Sequence, residues 1–188
     1  MDTPTLLTGQ ILTFNGDPFV DPWAECVHIN SAGAVLVEGA HIAATGSADT
    51  LKRLHPQATI ISYGDHLICP GFVDAHTHYP QTAMIASWGK RLIDWLNTYT
   101  FPEEIRFADR DYADDIAARY LDLTAANGTT TMASFATIHP HSVDALFSAA
   151  QARGQCVVTG KTCMDRNAPD GLRDTAQSAY DDSKALIA

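Results

Sequence analysis

The stretch PGFVDAHTHYPQ, Pro70–Gln81, places two histidines one residue apart at the end of a short apolar run. Side chains alternate across a β-strand, so residues at positions i and i+2 share a face. If Phe72–His78 is a strand, His76 and His78 point the same way, and Asp74 lies on that face one step deeper. Two converging imidazoles suit a divalent metal such as zinc. The Asp74 carboxylate is placed to orient a ligand from behind as a hydrogen-bond acceptor.

The histidine pair also fits a second interpretation, in which both are half-exposed polar residues at a strand edge. The strand context, the same-facing Asp74 and the long segment that follows favour the metal site. In parallel α/β folds, active sites lie at the carboxyl ends of the strands. A catalytic zinc site normally has three or more protein ligands and a water molecule, so His76 and His78 would be only part of one.

Five further residues near predicted strand ends could contribute to such a site. His139 and His141 follow the next strand, but loop positions are the favoured interpretation, with His141 beside a helix start. Lys161 could be a carboxylated, metal-bridging lysine, although a structural or solvent-facing role is favoured. Cys163 and Asp165 could face the site, but their spacing does not assign them to it. The sequence has no GxSxG motif, so a nucleophilic serine is not indicated.

Composition and charge limit the classes of protein to which this chain can belong. It has 188 residues, of which 46% are hydrophobic and 18% charged, as in ordinary globular proteins. The net charge is −10 and there is no Lys/Arg cluster, so we expect no binding to nucleic acid or to an anionic membrane. We expect neither a secretory signal nor a membrane span. Four scattered cysteines suit reduced thiols, which predicts a cytoplasmic protein.

The first 69 residues contain strand-like segments separated by turns, and we expect a small β-sandwich there. Glu38-Gly39 predicts a tight hairpin with glycine at positive φ. The predicted strands are Leu6–Phe14, Ala34–Val37, His41–Ala44 and Thr59–Tyr63, with a short helix at Asp49–Leu54.

Strands and helices alternate from Pro70 onwards. Gly128 suits the C′ position of one helix, and Ser142 is the predicted N-cap of the next, which ends at Gly154. Tyr79–Asp109 is predicted to be irregular, apart from a short helix at Leu92–Tyr99. The predicted strands are Phe72–His78, Thr129–Phe135 and Gln155–Cys163, and the other helices are Asp111–Asn127 and Asp174–Ile187.

This alternation predicts right-handed parallel crossovers, for which two α/β folds compete. One is an open doubly wound sheet and the other is a closed (β/α)8 barrel. The absence of GxGxxG after any strand lowers the case for a dinucleotide-binding sheet. A barrel takes about 250 residues, so the part after Pro70 has room for about three of the eight units. Either the sheet is open, or the chain is the N-terminal part of a longer protein that contains the whole barrel.

The order of several segments resembles the guanine deaminase branch of the amidohydrolase superfamily. The matching segments are VLVEGAHIAATG, PGFVDAHTHYPQ, LIDWLNTYTFPEE, NGTTTMASFATIHP and GKTCMDRNAPD. The resemblance implies a metal-dependent hydrolase on a (β/α)8 barrel, with a small β-sandwich built from both chain ends. Residues 1–69 would then be the N-terminal β-sandwich segment, and residues 70–188 would be the first part of the barrel, with about three βα units.

The resemblance also implies an activity and roles for individual residues. Members convert guanine and water to xanthine and ammonia with one zinc ion, for which iron is the alternative. His76 and His78 would be metal ligands, His78 and Gln81 would contact the substrate, and Asp74 would support the ligands. A homodimer is expected for the complete enzyme.

The sequence covers only the first part of the family pattern. Later in the family pattern come the remaining histidines, a proton-shuttling glutamate and a metal-binding aspartate. We therefore expect the general acid/base to lie beyond residue 188. We also expect this chain to be the N-terminal portion of the enzyme. The superfamily's carboxylated lysine belongs to a later strand and is not expected in guanine deaminases, so this role is not carried over to Lys161. Two alternatives stay open: another amidohydrolase acting on cytosine or a triazine, and a non-catalytic fragment.

Overall fold

The structure is a computed structural model that describes residues 3–187. The chain divides into two compact units between Pro70 and Gly71, one residue later than the boundary in the sequence-based prediction. Each unit has its own cluster of buried apolar side chains. Within residues 3–187, no helix has the length and apolar character required to cross a membrane.

The first unit contains a four-stranded mixed sheet in the order β3-β2-β1-β4. Strand β1 pairs with β4 in parallel, whereas β1–β2 and β2–β3 are antiparallel. Leu51 of helix α2 packs against Leu6 and Leu36 of the sheet. The elements are β1 (Thr5–Phe14), α1 (Trp23–Cys26), β2 (Val27–Glu38), β3 (His41–Ser47), α2 (Ala48–Leu54) and β4 (Thr59–Ile68).

The predicted hairpin is present between β2 and β3. Glu38 pairs with His41, and Gly39 has a φ of +60°, in the left-handed region that glycine occupies without strain. The described residues of this unit form one sheet, so the β-sandwich stays a prediction.

The second unit contains a parallel sheet in the order β5-β6-β7, with helices on the crossovers, and this confirms the mixed α/β class. Strand β7 is shorter than the predicted Gln155–Cys163. The last helix begins at Ala176, two residues later than predicted, because the Thr175 hydroxyl caps it by accepting a hydrogen bond from the Ser178 N–H at 3.0 Å. The elements are β5 (Phe72–His78), α3 (Leu92–Trp95), α4 (Phe101–Ile105), α5 (Arg110–Ala126), β6 (Thr129–Phe135), α6 (Pro140–Arg153), β7 (Cys156–Gly160) and α7 (Ala176–Ile187).

Helix α5 lies within one residue of its predicted bounds at both ends. The Asp109 carboxylate caps its start by accepting a hydrogen bond from the Asp111 N–H at 3.0 Å. Gly128 has a φ of +80° just after the helix, as the predicted C′ position requires. Buried Ile116 and Tyr120 pack this helix against the sheet.

The prediction that Ser142 is the N-cap of the following helix is wrong. Helix α6 begins at Pro140, so Ser142 lies inside its first turn. Proline starts the helix early because its φ is already helical and its missing N–H would be unpaired there in any case. The Ser142 hydroxyl accepts a hydrogen bond from the Thr137 N–H at 3.2 Å, so it contacts the chain upstream of the helix.

The segment Tyr79–Asp109 is more helical than predicted. A 3-10 turn spans Tyr79–Met84, and an almost continuous helical run extends from α3 to a 3-10 turn at Arg106–Ala108. Pro102 indicates a helix break in the sequence, because proline lacks an N–H and clashes with the carbonyl four residues earlier. A π-helical turn at Leu96–Thr100 comes shortly before Pro102. Because this turn is wider than an α-helical turn, it changes the distance between the proline ring and the carbonyl group four residues earlier, and the helix continues.

Candidate active site

The two histidines of the opening motif lie side by side at the carboxyl end of β5. The centroids of the His76 and His78 rings are 5.3 Å apart, with an interplanar angle of 75°. Phe135, at the end of neighbouring β6, stacks on His78 at 4.8 Å and meets the edge of His76 at 5.5 Å. The sequence therefore predicted the convergence of the rings correctly, and their metal binding stays a prediction.

A β-bulge shapes the backbone of this motif. Asp74 pairs with Met132 and Thr77 pairs with Ser134, so β5 carries one extra residue between these two points. The Asp74 Oδ1 atom accepts a hydrogen bond from the His76 backbone N–H at 3.1 Å. Asp74 thus orients His76 through the main chain, whereas the sequence predicted a contact with an imidazole ring.

The surroundings of His78 favour its neutral form. Burial lowers the pKa of His78, and the neighbouring His76 lowers it further because two imidazolium ions repel each other. A metal binds the lone pair of a neutral imidazole. His78 is therefore shifted toward the neutral form that metal binding requires.

Two cavities flank the histidine pair. One of about 500 Å³ is lined by His78, Gln81, Trp95 and Tyr120, among others. The other, of about 360 Å³, is lined by residues that include His76, Phe135 and Lys161. The larger volume lies in the usual range for small-molecule sites, which is ~300–1,000 Å³.

A buried glutamate that the sequence analysis missed lies on α4, which packs against the 3-10 turn that carries Gln81. Gln81 lies in the 3-10 turn after β5, and Glu104 of α4 is 8% exposed. Burial raises the pKa of Glu104, and the nearby Gln81 amide lowers it to a lesser extent. A sequence signal for Glu104 was available, because it lies three residues after Phe101 and so shares a helix face with that apolar side chain.

The second histidine pair, His139 and His141, lies at the start of helix α6. His139 is the N-cap residue of α6, and His141 in the first turn donates from Nε2 to the Phe107 carbonyl at 2.6 Å. Their rings stack with centroids 5.6 Å apart. Across residues 3–187, no group of three or more His, Cys, Asp or Glu side chains is arranged to hold a metal ion.

The remaining candidates do not join the pair at the end of β5. Lys161 is 1% exposed and lies 2.8 Å from the Asp174 carboxylate, so it forms a buried structural ion pair, although it also lines the smaller cavity. Cys163 is exposed, and Asp165 lies 3.7 Å from Arg166. Neither Cys163 nor Asp165 lines the two cavities.

Comparison with family models gives two matches. Residues 67–188 match the amidohydrolase family. Residues 33–58 match an imidazolonepropionase-like composite domain of bacteria. The first match covers the whole α/β unit, including the histidine pair.

Individual relatives are guanine deaminases. The guanine deaminase of Escherichia coli K12 is 44% identical over 156 residues, which are 82% of this chain and 36% of that protein. Its solved structure superimposes with a TM-score of 0.88 at 39% identity, over 97% of this chain and 43% of that one. The guanine deaminase of C. acetobutylicum, solved with guanine bound in its active site, gives a TM-score of 0.81 at 30% identity, over 98% and 42%. The chain spans about a third of the length of the curated relatives it matches.

Proposed function

Because the chain belongs to the amidohydrolase family, we propose that the whole protein is a guanine deaminase, which hydrolyses guanine to xanthine and ammonia. The observation that carries this proposal is the pair of imidazoles at the end of β5, beside a cavity that also contains Gln81. Similarity to guanine deaminases over 82% of the chain supports guanine as the substrate.

We also propose that the parallel sheet is the start of a (β/α)8 barrel, with β5, β6 and β7 as its first three strands. The order β5-β6-β7 and the intervening helices support this arrangement. Residues 1–69 would contribute to the small β-sandwich that accompanies the barrel. The whole protein would act in the cytoplasm as a homodimer.

His76 and His78 are the proposed ligands of a zinc ion. The donor set fits: both are imidazoles, their rings converge, and the lowered pKa of His78 favours the neutral form. When bound, zinc lowers the pKa of water toward ~7 and so supplies hydroxide at neutral pH. Phe135 packs on both rings and restricts their rotation, and Asp74 fixes the backbone of His76.

Gln81 and His78 are the proposed substrate contacts within this chain. An amide side chain has both a donor and an acceptor, which matches the mixed hydrogen-bonding edge of a purine. The cavity lining has apolar side chains such as Met84 and Trp95, and these suit the face of a flat ring. The general acid/base is not assigned to any residue of this chain.

The test is turnover by the complete gene product. Purified protein loaded with zinc should release ammonia and xanthine from guanine, and should show little activity on cytosine or on triazines. A preference for cytosine or a triazine would show that guanine is the wrong substrate and that the protein is another kind of amidohydrolase. Turnover that survives removal of the metal with a chelator would contradict the metal proposal.

A further inference from the structure

The last residue pair of the β5–β6 ladder places His78 opposite Phe135, whose ring stacks on the imidazole. Tyr79 follows His78 directly and is fully buried. Its backbone N–H donates a hydrogen bond to the Ser134 Oγ atom at 2.9 Å, and Ser134 is itself only 4% exposed. A side chain of the neighbouring strand therefore holds the end of β5 at the point where the chain leaves the sheet.

The Ser134 hydroxyl group makes a second hydrogen bond, in which it is the donor. It donates to the Phe135 carbonyl oxygen at 3.2 Å. A serine hydroxyl has one hydrogen to donate and lone pairs that accept, so the same group can make both bonds. One hydroxyl thus joins the residue that follows His78 to the residue that stacks on His78.

The other groups of Tyr79 anchor this residue in the core. The Tyr79 hydroxyl donates to the Ser142 carbonyl oxygen at 2.5 Å, and the Thr82 hydroxyl donates to the Tyr79 carbonyl oxygen at 2.7 Å. The Tyr79 ring packs against the edge of the Phe107 ring within the main apolar cluster. Because Tyr79 is fixed in this way, the position of the preceding His78 depends on how Tyr79 is joined to β6.

We propose that Ser134 is a positioning residue, which acts through the Tyr79 backbone to hold the His78 imidazole in its place as a zinc ligand. This inference rests on the proposed function, since it assumes that His78 binds zinc. Zinc requires its ligands within narrow limits of distance and angle, so a small shift of the strand end weakens binding. Without the Ser134 hydroxyl, the buried Tyr79 N–H loses its acceptor, and the end of β5 can relax away from β6.

Thr137 provides a matched control just beyond the end of β6. It is fully buried, and its Oγ1 atom accepts a hydrogen bond from the His139 N–H at 3.2 Å. Thr137 therefore resembles Ser134 in its burial and its bond to a backbone N–H, but that N–H lies outside the segment that carries His78. Thr137→Val keeps the shape of the side chain and removes the acceptor, so it tests the loss of such a hydrogen bond by itself.

The experiment measures the zinc affinity of the complete protein by competitive chelator titration. We expect Ser134→Ala to raise the zinc dissociation constant about tenfold, which is the lower end of the effect of removing a group that orients a metal ligand. Ser134→Cys should give an intermediate value, because a thiol is a weaker acceptor. Added to His78→Ala, Ser134→Ala should raise the constant no further, and Thr137→Val should leave it unchanged.

The ligand geometry provides a second readout. The visible absorption spectrum of protein loaded with Co²⁺ in place of zinc depends on how the ligands surround the ion. This spectrum should change in Ser134→Ala, and it should stay the same in Thr137→Val. A loss of stability alone would not move it.

The outcomes separate failure of this role from failure of the proposed function. Unchanged zinc affinity in Ser134→Ala would overturn the role of Ser134. An equal loss in Thr137→Val, or a further loss when Ser134→Ala is added to His78→Ala, would show that Ser134 does not act through His78. If His78→Ala leaves zinc affinity intact, His78 is not a ligand, and this role is wrong with it. If the unsubstituted protein forms no xanthine from guanine, guanine is the wrong substrate, whereas the role of Ser134 is still decided by zinc affinity.

Discussion

The Lys161 ammonium group is 1% exposed and lies 2.8 Å from the Asp174 carboxylate, which is 7% exposed. The same carboxylate is 3.4 Å from the Met164 N–H, so it holds together the loop between β7 and α7. We predict that Lys161→Ala lowers the free energy of unfolding by about 3–5 kcal/mol, because it leaves Asp174 buried without its charged partner. Urea denaturation of the purified chain measures this change.

The exposed pair Arg91–Asp94 is the control for the buried one. Its two side chains also meet at 2.8 Å, but they remain in contact with water. Arg91→Ala should change the free energy of unfolding by less than about 1 kcal/mol, because water screens an exposed ion pair. Equal losses from the two substitutions would mean that burial of Lys161 does not decide its contribution.

Glu104 has a predictable effect on stability as a function of pH. Burial raises its pKa in the folded protein above the ordinary value of 4.5. Below pH 4.5 the carboxyl group is protonated in both the folded and the unfolded chain, so it adds no pH-dependent cost. As the pH rises, the unfolded chain ionises first, and the folded state loses stability until the pH passes the raised pKa.

We therefore predict that Glu104→Gln is more stable than the unsubstituted chain at pH 7, and that the difference shrinks as the pH falls toward 4.5. Melting temperatures of both proteins between pH 4.5 and 8 provide the test. A difference that grows toward acid pH would show that the folded protein favours the ionised carboxylate and that burial is not the dominant effect.

At the scale of single residues, the sequence correctly predicted the side-chain positions that depend only on neighbouring residues of the same strand. Strand alternation alone placed His76 and His78 on one side, and the structure has their rings 5.3 Å apart. The burial of Glu104 was missed because it depends on how α4 packs against the 3-10 turn after β5, which the local sequence does not show. The target of Asp74 was also missed, because a bulge between Asp74 and Thr77 is not visible in the residue pattern.

At the scale of elements, Gly71 sets how closely β5 approaches β6. A Cβ atom at Gly71 would lie 2.7 Å from the Thr130 Cβ, and still closer to the Thr130 Oγ1 and Cγ2. We predict that Gly71→Ala costs about 1–3 kcal/mol, because it forces apart the two strands that carry His76, His78 and Phe135. Urea denaturation again provides the measurement.

Two substitutions test whether steric contact causes that loss. Gly160→Ala is the control, because a Cβ atom there meets nothing within 4 Å. Adding Thr130→Ala to Gly71→Ala should recover part of the stability, since it removes the two closest atoms. If Gly160→Ala is as damaging, or if Thr130→Ala restores nothing, loss of glycine flexibility is the better explanation for Gly71.

Element predictions succeeded where hydrophobic periodicity and capping agreed. Helix α5 has a four-residue apolar repeat, a capping aspartate and a terminal glycine, and its bounds were predicted within one residue. The first part of the helical run, Leu92–Tyr99, was predicted, but its continuation through Pro102 to Ala108 was not. Phe101, which follows the π-helical turn, packs against Ala168 and Leu172, and such contacts between distant parts of the chain are not visible in the local sequence.

At the scale of the whole molecule, the two edge strands of the parallel sheet carry exposed apolar side chains. Val73 on β5 is 69% exposed and Val158 on β7 is 66% exposed. The order β5-β6-β7 leaves one side of each of these strands unpaired within residues 71–187. Unpaired strand edges with apolar side chains favour association between chains.

We predict that the isolated 188-residue polypeptide self-associates, and that Val73→Lys with Val158→Lys reduces this, because charge disfavours edge pairing. Light scattering after size-exclusion chromatography measures the mass as a function of concentration. Leu54, an exposed apolar residue on helix α2 and away from any strand edge, provides the control, and Leu54→Lys should leave self-association unchanged. A monomer at all concentrations would show that these edges do not drive association.

Zinc binding by the same polypeptide tests the proposed ligands. Two imidazoles are fewer than the three or more protein ligands of a catalytic zinc site, and residues 3–187 bring no group of three metal-binding side chains together. We therefore predict that the isolated 188-residue polypeptide binds zinc weakly, and that His76→Ala with His78→Ala abolishes this binding in a competitive chelator titration. His139→Ala with His141→Ala is the control and should leave it intact, because His141 already donates to the Phe107 carbonyl. Tight zinc binding that survives loss of His76 and His78, or xanthine formation by this polypeptide alone, would place the metal chemistry on other residues.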